Sequence, residues 1–159
     1  MDLGGEITAG LRPPDILAAE AEIVFRHGVA GKSVLDIGAW DGFFSFEAER
    51  RGARDVLSTD HFCWSGPGWG TKAGYDYAHK KLRSRCKSLD VDLFELSTER
   101  HGTFDVVLFL GVLYHLRNPH DGLERAASMN CQMRSGQAST GPTGSNNAIQ
   151  ERAQRPYMM

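Results

Sequence analysis

An apolar segment that runs into a glycine turn decides the fold of this chain. Residues 34–53 read VLDIGAWDGFFSFEAERRGA. The segment opens with an apolar run, Gly38 and Gly42 mark a turn, and phenylalanines then recur at helical spacing up to Gly52. A buried strand that enters a helix through such a turn is typical of sheets that face a nucleotide. The kind of nucleotide depends on the residues within the turn.

Strands and helices alternate along the rest of the chain. Helices are predicted over 13–27, 43–52 and 75–85 and from Pro119 onward, and strands over 32–38, 55–60, 86–92 and 103–116. The loop 61–74 between them is rich in glycine. This alternation predicts an α/β fold with a Rossmann-like, doubly wound, mostly parallel sheet.

Composition and charge exclude several classes of protein. The chain has 159 residues, of which 41% are hydrophobic, enough for one domain with a core. Residues 1–127 hold 15 of the 18 basic and 19 of the 20 acidic side chains, a net charge of −4 that argues against a generic polyanion binder. The start MDLGGEITAG has no signal-peptide features, and no stretch reaches the roughly 18 apolar residues of a membrane span. We expect a cytoplasmic (cytosolic) protein without membrane contact, whose three cysteines are free thiols.

The composition changes after residue 127 and divides the chain. The last 32 residues contain no Leu, Val, Phe or Trp and consist mainly of small polar residues. Such a segment cannot bury enough apolar surface to become ordered. We predict an N-terminal extension at 1–12, an α/β domain at 13–127 and a disordered tail at 128–159.

The spacing within the turn distinguishes between two kinds of cofactor. The dinucleotide fingerprint G-x-G-x-x-G brings backbone amides against a pyrophosphate and tolerates neither bulk nor negative charge there. Here Asp36 and Gly38 are followed by Gly42, with Trp40 and Asp41 between the two glycines. Because Asp41 repels a pyrophosphate and Trp40 crowds it, a cofactor without phosphates and with positive charge is favoured. S-adenosylmethionine, with an ammonium and a sulfonium group, meets this description.

Two more acidic residues follow at predicted strand ends. Asp60 lies 24 residues after Asp36, where its carboxylate can accept hydrogen bonds from both ribose hydroxyls. Asp92, at the end of the third strand, is expected on the adenine side of the same crevice. The alternatives are a turn that binds no ligand, an Asp90 that takes the place of Asp92, or acids that simply face water.

Three blocks carry a resemblance to a known family. They read GKSVLDIGAWDGFFSFEAERRGA, STDHFCWSGPGWGTKAGYDYAH and GTFDVVLFLGVLYHLRNPHDGLERAA, at 31–53, 58–79 and 102–127. Together they resemble the class I S-adenosylmethionine-dependent methyltransferases, in particular the branch similar to tRNA wobble-uridine (mo5U34 type) methyltransferases. The resemblance spans residues 12–127. It implies a methyltransferase domain with S-adenosyl-L-methionine as cofactor, in its ordinary or a carboxylated form.

The resemblance also implies roles for individual residues. Asp36 and Gly38 hold the methionine end of the cofactor, Asp60 holds the ribose, and Asp92 with Leu93 flanks the adenine. The full set of implied cofactor contacts is Asp36, Gly38, Ala39, Trp40, Gly42, Asp60, His61, Asp92, Leu93 and Gly111.

The family sheet has seven strands, whereas the sequence shows four. We interpret the change after Ala127 as a premature end, a frameshift or a wrongly assigned gene, any of which leaves the sheet incomplete after the fourth strand. The exposed edge FDVVLFL is then a predicted aggregation site. A catalytically inactive remnant is therefore an alternative to an active enzyme. An NAD-dependent oxidoreductase is a third alternative, against which Asp41 and the missing third glycine argue.

Few side chains are needed for methyl transfer, because the cofactor supplies the electrophile and the protein positions the reactants. For a hydroxyl acceptor, on tRNA or on a small molecule, His115 is the candidate base and Tyr114 a candidate for orienting the acceptor. The alternatives are that His115 caps a turn and that Tyr114 only packs.

Two further groups of residues suggest an RNA acceptor. Phe62, Trp64 and Trp69 either stack on a flipped base or attach their loop to the core. A basic cluster either follows a tRNA backbone or forms a solvated helix face; it comprises Lys72, Lys80, Lys81, Arg83, Arg85 and Lys87. We predict no metal site, because His61 and Cys63 have no further ligand-type residues nearby in the sequence.

Overall fold

A parallel sheet forms the centre of the structure, a computed structural model that describes residues 1–5, 8 and 12–131. Its strands are β1 (Ser33–Ile37), β2 (Asp55–Thr59), β3 (Lys87–Leu89) and β4 (Val106–Phe109). The helices are α1 (Pro14–Val24), α2 (Phe43–Arg50), α3 (Ala73–Leu82), α4 (Thr98–His101) and α5 (Pro119–Ser128). Short 3-10 turns occupy Leu93–Glu95 and Leu113–His115. The predicted α/β fold with a Rossmann-like sheet is confirmed.

The strand order creates a crevice at the carboxyl ends of the strands. The order is β3-β2-β1-β4, and every pairing is parallel. The chain therefore moves outward from β1 to β3 and then crosses to the other side of β1. Ligands of doubly wound sheets bind at such a switch point, outside the carboxyl ends of the strands.

Each face of the sheet is covered by its own apolar core. Val34 and Val56 belong to the core under α1, α2 and α3, together with residues such as Phe46 and Tyr75. Leu35 and Ile37 belong to the opposite core, with Leu93, Leu96, Phe104, Ala126 and Met129. A strand covered on both faces explains the unbroken apolar run of β1, all five residues of which are buried.

The third strand is shorter than predicted. β3 pairs only with residues 57–59 of β2 and ends at Leu89, three positions before Asp92. Asp92 instead precedes the first 3-10 turn, where its Oδ1 accepts a hydrogen bond from the Phe94 amide at 2.8 Å. The early end has a direct cause, because β2 ends at Thr59, the residue that pairs with Leu89.

The folded segment extends beyond the predicted boundary at Ala127. Met129 is fully buried, and Asn130 forms a parallel bridge with Phe104 just before β4. The Phe104 amide donates to the Met129 carbonyl, and the Cys131 amide donates to the Phe104 carbonyl. Residues 128–131 thus pack with the domain, while 132–159, the rest of the predicted disordered tail, lie outside the described residues.

Within the described residues β4 is the outer strand, and the bridge at Phe104 covers only its beginning. The aggregation expected for this edge remains a prediction. The three cysteines are free thiols, as predicted. Among the helices that the structure describes, none has the length and apolarity needed to cross a membrane.

Candidate active site

A large cavity lies at the carboxyl ends of β1, β2 and β4. Its volume is about 1030 Å³. The residues predicted from the sequence that line it are Gly38, Ala39, Trp40, Gly42, Asp60, His61, Asp92, Leu93, Gly111, Tyr114 and His115. The structure therefore brings together all of the predicted site residues except Asp36.

The glycine turn already uses most of its backbone amides within the protein. The amides of Gly38 and Ala39 both donate to the Thr59 carbonyl, at 2.8 and 3.0 Å. The Trp40 amide donates to the Asp60 carboxylate at 3.0 Å, and the Gly42 amide donates to the Ala39 carbonyl at 2.7 Å. A pyrophosphate needs such amides free. The turn is therefore a poor site for a dinucleotide.

Position 38 requires glycine because the turn after β1 lies very close to the segment after β4. Its φ is 77°, in the left-handed region, and a Cβ there would overlap Cγ2 of Val112. Val112 belongs to the segment after β4, which also carries Gly111 and lines the cavity. Only glycine lets the two segments meet at this point.

Asp60 connects two segments of the cavity wall. It is buried at the end of β2, where Oδ2 accepts from the Trp40 amide and Oδ1 accepts from the Cys63 amide at 2.9 Å. Each carboxylate oxygen has a second acceptor position. Asp60 therefore holds the turn and the following loop together and still has capacity for ligand hydroxyls.

Asp36 lies beneath the turn and not in the cavity wall. It is 3% exposed and pairs in register with Ser58. Its Oδ2 accepts a hydrogen bond from Ser45 Oγ at 2.6 Å, Ser58 Oγ donates to Ser45 Oγ at 2.7 Å, and Tyr75 Oη lies 2.9 Å from Ser58 Oγ. Because the Ser58 proton points to Ser45, the Tyr75 hydroxyl donates to Ser58. This position fits support of the turn better than the predicted contact with a cofactor.

Burial changes the ionisation of Asp36. Loss of solvent raises the pKa of its carboxyl from 3.8 to about 6, although the Ser45 hydrogen bond opposes the rise. Nearby Asp60 adds to it through its charge. Since the folded state holds this proton more tightly than the unfolded chain, the stability contribution of Asp36 is greatest below about pH 4 and falls as pH rises toward 6.

Replacing Asp36 by asparagine should therefore flatten part of the pH dependence of stability. The measured quantity is the free energy of unfolding of Asp36→Asn minus that of the unmodified chain. This difference should increase by about 3 kcal/mol from roughly pH 4 to pH 7, because one pKa unit corresponds to about 1.4 kcal/mol. Urea unfolding followed by tryptophan fluorescence measures it. Ser45→Ala should have the opposite effect and steepen the loss, because it removes the hydrogen bond that stabilises the carboxylate. A difference between Asp36→Asn and the unmodified chain that is constant with pH would contradict the raised pKa.

The predicted adenine side of the crevice holds His61, Asp92 and Leu93 in the cavity wall. Asp90, the alternative to Asp92, is not among the residues that line the cavity, and it forms a hydrogen bond to His61 with 3.0 Å between Oδ1 and Nδ1. That hydrogen bond raises the pKa of the His61 imidazole. Leu93 is buried and joins the cavity to the core beneath.

The three aromatic residues of the glycine-rich loop have different positions. Trp64 is 6% exposed and its Nε1 donates to the Trp40 carbonyl at 2.8 Å, which fits attachment of the loop to the core. Phe62 and Trp69 are 40% and 60% exposed and line the cavity. Both contact His115, with ring centroids 5.9 and 5.2 Å away. Of the predicted stacking residues, only these two face the site.

His115 and Tyr114 complete an aromatic rim across the cavity mouth. Their ring centroids are 4.3 Å apart, and Tyr114 is 75% exposed. The rim, defined as Phe62, Trp69, Tyr114 and His115, joins the loop after β2 to the segment after β4. It therefore crosses above β1, the strand that carries the glycine turn.

The predicted basic cluster is partly engaged within the protein. Lys72 Nζ donates to Ser88 Oγ at 2.9 Å, and Arg85 lies 3.5 Å from a Glu49 oxygen. Lys80, Arg83 and Lys87 are exposed. Binding of an RNA backbone to this cluster remains a prediction.

Within the described residues, three exposed side chains of kinds that bind metal ions lie close together on α5. His120, Asp121 and Glu124 have their ligand atoms within 4.8 Å of one another. Positions 120 and 124 are one helical turn apart and pair at 3.6 Å, so helix geometry alone accounts for the group.

Sequence reasoning missed several residues of the cavity. Arg12 and Arg117 line it and introduce positive charge, and Tyr77 reaches it from α3. Arg117 follows His115 by two positions, so proximity to the predicted base was a usable signal. No comparable signal pointed to Arg12.

Comparison with solved structures places the fold in a known class. The N-terminal domain of EvdMO1, solved with SAH bound, matches with a TM-score of 0.56 and 22% identity over 76% of this chain and 47% of that chain. An S-adenosylmethionine dependent methyltransferase from Mesorhizobium loti matches with a TM-score of 0.53 and 21% identity over 72% and 50% of the two chains. The chain has the Rossmann-like fold of class I methyltransferases.

Comparison of sequences finds relatives that share one name. The chain is 36% identical over 92 residues to a tRNA U34 carboxymethyltransferase of Dichelobacter nodosus, a match over 57% of this chain and 27% of that protein. It is 32% identical over 108 residues to the protein of the same name in Pseudomonas aeruginosa, over 67% of this chain and 31% of that protein. The chain thus spans less than a third of the length of these relatives. No protein-family profile matches it.

Proposed function

We propose that this chain is an S-adenosylmethionine-dependent methyltransferase domain that acts on a hydroxyl of RNA, in particular a tRNA wobble uridine, or of a small molecule. The observation that carries the proposal is the chemistry of the turn. Four of its amides are engaged within the protein, and Asp41, Asp60 and Asp92 line the cavity around it. Such a site suits a ligand with ribose hydroxyls and positive charge, and disfavours one with phosphates.

The residues present fit the proposed cofactor. Asp60 has open acceptor positions for two ribose hydroxyls, and Asp92 and Leu93 offer a polar and an apolar edge for an adenine. Burial raises the pKa of Asp41, whose carboxylate lies against Gly74 of α3 beside the turn. When bound, S-adenosylmethionine supplies an electrophilic methyl group. The protein then has to orient an acceptor and exclude water.

The acceptor side of the cavity is assigned to the aromatic rim. Exposed Phe62 and Trp69 can stack on a nucleobase, because aromatic faces accept any base. His115 contacts Phe62, Trp69 and Tyr114, and these contacts support its proposed role as the base that takes a proton from an acceptor hydroxyl. The names of the sequence relatives support a tRNA acceptor, and a tRNA acceptor implies a cytoplasmic site of action.

Those names also bear on the group transferred, since the relatives are carboxymethyltransferases. A carboxylated cofactor would bring an additional negative charge. Arg117 is the cavity-lining arginine proposed to meet it, because Arg12 already forms an ion pair with Glu20. Competition between ordinary and carboxylated S-adenosylmethionine for the site decides between the two forms.

Isothermal titration of S-adenosylhomocysteine into the purified chain tests the cofactor assignment, with NAD titrated in parallel. Micromolar binding of the first and none of the second supports the proposal. Binding of NAD alone would replace it with an oxidoreductase. Binding of neither would mean an inactive remnant. Incorporation of labelled methyl or carboxymethyl groups into tRNA then tests the acceptor.

A further inference from the structure

The indole of Trp64 lies outside the cavity wall but is hydrogen-bonded to it. Nε1 donates to the Trp40 carbonyl at 2.8 Å. The ring of Tyr75 contacts the indole at 5.1 Å between centroids, and the ammonium of Lys72 lies 5.0 Å from its centroid. Packing in the core therefore sets the position of the indole N–H.

Trp40 needs such a partner because its backbone conformation is unfavourable. Its φ is 48°, in the left-handed region that bulky residues rarely adopt. The Trp40 amide donates to Asp60 Oδ2 at 3.0 Å, and the Trp40 carbonyl accepts from Trp64. The peptide groups on both sides of Trp40 are thus held by side chains.

Asp60 completes a closed circuit of hydrogen bonds. Its Oδ1 accepts from the amide of Cys63, the residue just before Trp64. The circuit therefore runs from Trp40 to Asp60, from Asp60 to the Cys63–Trp64 backbone, and from the Trp64 indole back to Trp40. The orientation of the carboxylate in the cavity depends on its two amide donors. The indole holds the carbonyl of Trp40, and this limits rotation about the Trp40 Cα that would move the neighbouring amide donor.

We propose that Trp64 is a positioning residue for the ribose of an adenosyl cofactor. Its indole N–H holds the Trp40 carbonyl and so keeps Trp40 in its left-handed conformation, in which the Trp40 amide orients the Asp60 carboxylate toward the ribose hydroxyls. The inference rests on the proposed function, because the ribose belongs to the proposed cofactor. Trp64 itself does not touch the ligand.

Two replacements at position 64 remove the N–H, and the second of them also keeps the packing of the buried indole. Trp64→Phe retains an aromatic ring, and a chain with benzothienylalanine at this position retains the two-ring shape with sulfur in place of the N–H. We expect either chain to bind S-adenosylhomocysteine about five- to tenfold more weakly, the effect of one lost hydrogen bond. The factor should be smaller for 2′-deoxy-S-adenosylhomocysteine, which offers one fewer ribose hydroxyl to Asp60.

A second readout needs no ligand. In the free protein, hydrogen exchange at the Trp40 and Cys63 amides should accelerate in both chains, while the amides of β1 keep their rates. Val56→Ala is the matched control. Val56 is buried in the same core as Trp64 but lies at the end of β2 that is far from Asp60. It should lower Tm and leave the Kd of S-adenosylhomocysteine unchanged.

Unchanged affinity in both position-64 chains overturns the inference, as does an equal loss for the two ligands or an equal loss in Val56→Ala. If the unmodified chain binds no S-adenosylhomocysteine, the proposed function fails and the inference fails with it. Binding by the unmodified chain with unchanged affinity at position 64 refutes the inference alone.

Discussion

Replacing Asp60 by alanine should reduce the affinity for S-adenosylhomocysteine by at least about a hundredfold. A hydrogen bond to a charged group contributes about 1.5–3 kcal/mol, and the carboxylate is proposed to accept two from the ribose. The change also removes the acceptor of the Trp40 and Cys63 amides, which releases the turn from the loop. Isothermal titration measures the loss.

Two further variants separate loss of the site from loss of charge or of fold. Asp55→Ala removes a carboxylate from the exposed, opposite end of the same strand and should bind S-adenosylhomocysteine normally. Asp60→Asn keeps the shape and one acceptor oxygen, so its affinity should lie between those of Asp60→Ala and the unmodified chain. Full affinity in Asp60→Ala would show that the ribose is held elsewhere.

Replacing Gly42 by alanine should cost about 2–5 kcal/mol in the free energy of unfolding. Its φ is 82°, which adds about 1–2 kcal/mol for any residue with a Cβ. The Cβ would also lie 2.6 Å from Phe46 Cε2 and 2.7 Å from Tyr75 Cδ2. Both rings are buried, so overpacking adds about 1–3 kcal/mol. Urea unfolding followed by tryptophan fluorescence measures the loss.

Gly28→Ala isolates the backbone part of this cost. Gly28 has a φ of 70°, but a Cβ there would meet nothing within 4 Å. It should therefore lose only about 1–2 kcal/mol. Equal losses at positions 28 and 42 would mean that the Phe46 and Tyr75 rings move aside readily, contrary to the packing described.

Local signals predicted the strand, turn and helix around residues 34–53, because apolar runs, glycines and helical spacing act over a few residues. The direction in which Asp36 points was not predicted. Without alternation of polar and apolar residues, the sequence does not show which face of the sheet a polar residue in the strand occupies. In the structure, Asp36 lies on the same face of the sheet as Ser58. Its partner Ser45 comes from α2, and Tyr75 of α3 joins the same network through Ser58, so only the tertiary fold brings these groups together.

Side-chain positions in the loop after β2 could not be predicted from local sequence either. Phe62, Trp64 and Trp69 are equivalent by composition, and a glycine-rich loop has no periodicity that assigns one to the core and two to the cavity. Asp92 lines the cavity, but it does not lie at the end of a strand as predicted. β3 stops at Leu89 because β2 itself ends at the partner residue Thr59, and Asp92 then caps the Phe94 amide in the following turn.

The engaged amides of the glycine turn also bear on how quickly and how selectively a ligand binds. The turn reaches its final shape through Thr59, Asp60 and its own Ala39 carbonyl, without help from a ligand. A receptor that is preorganised in this way loses little conformational entropy on association. Related ligands should therefore associate at similar rates and differ mainly in how long they stay bound.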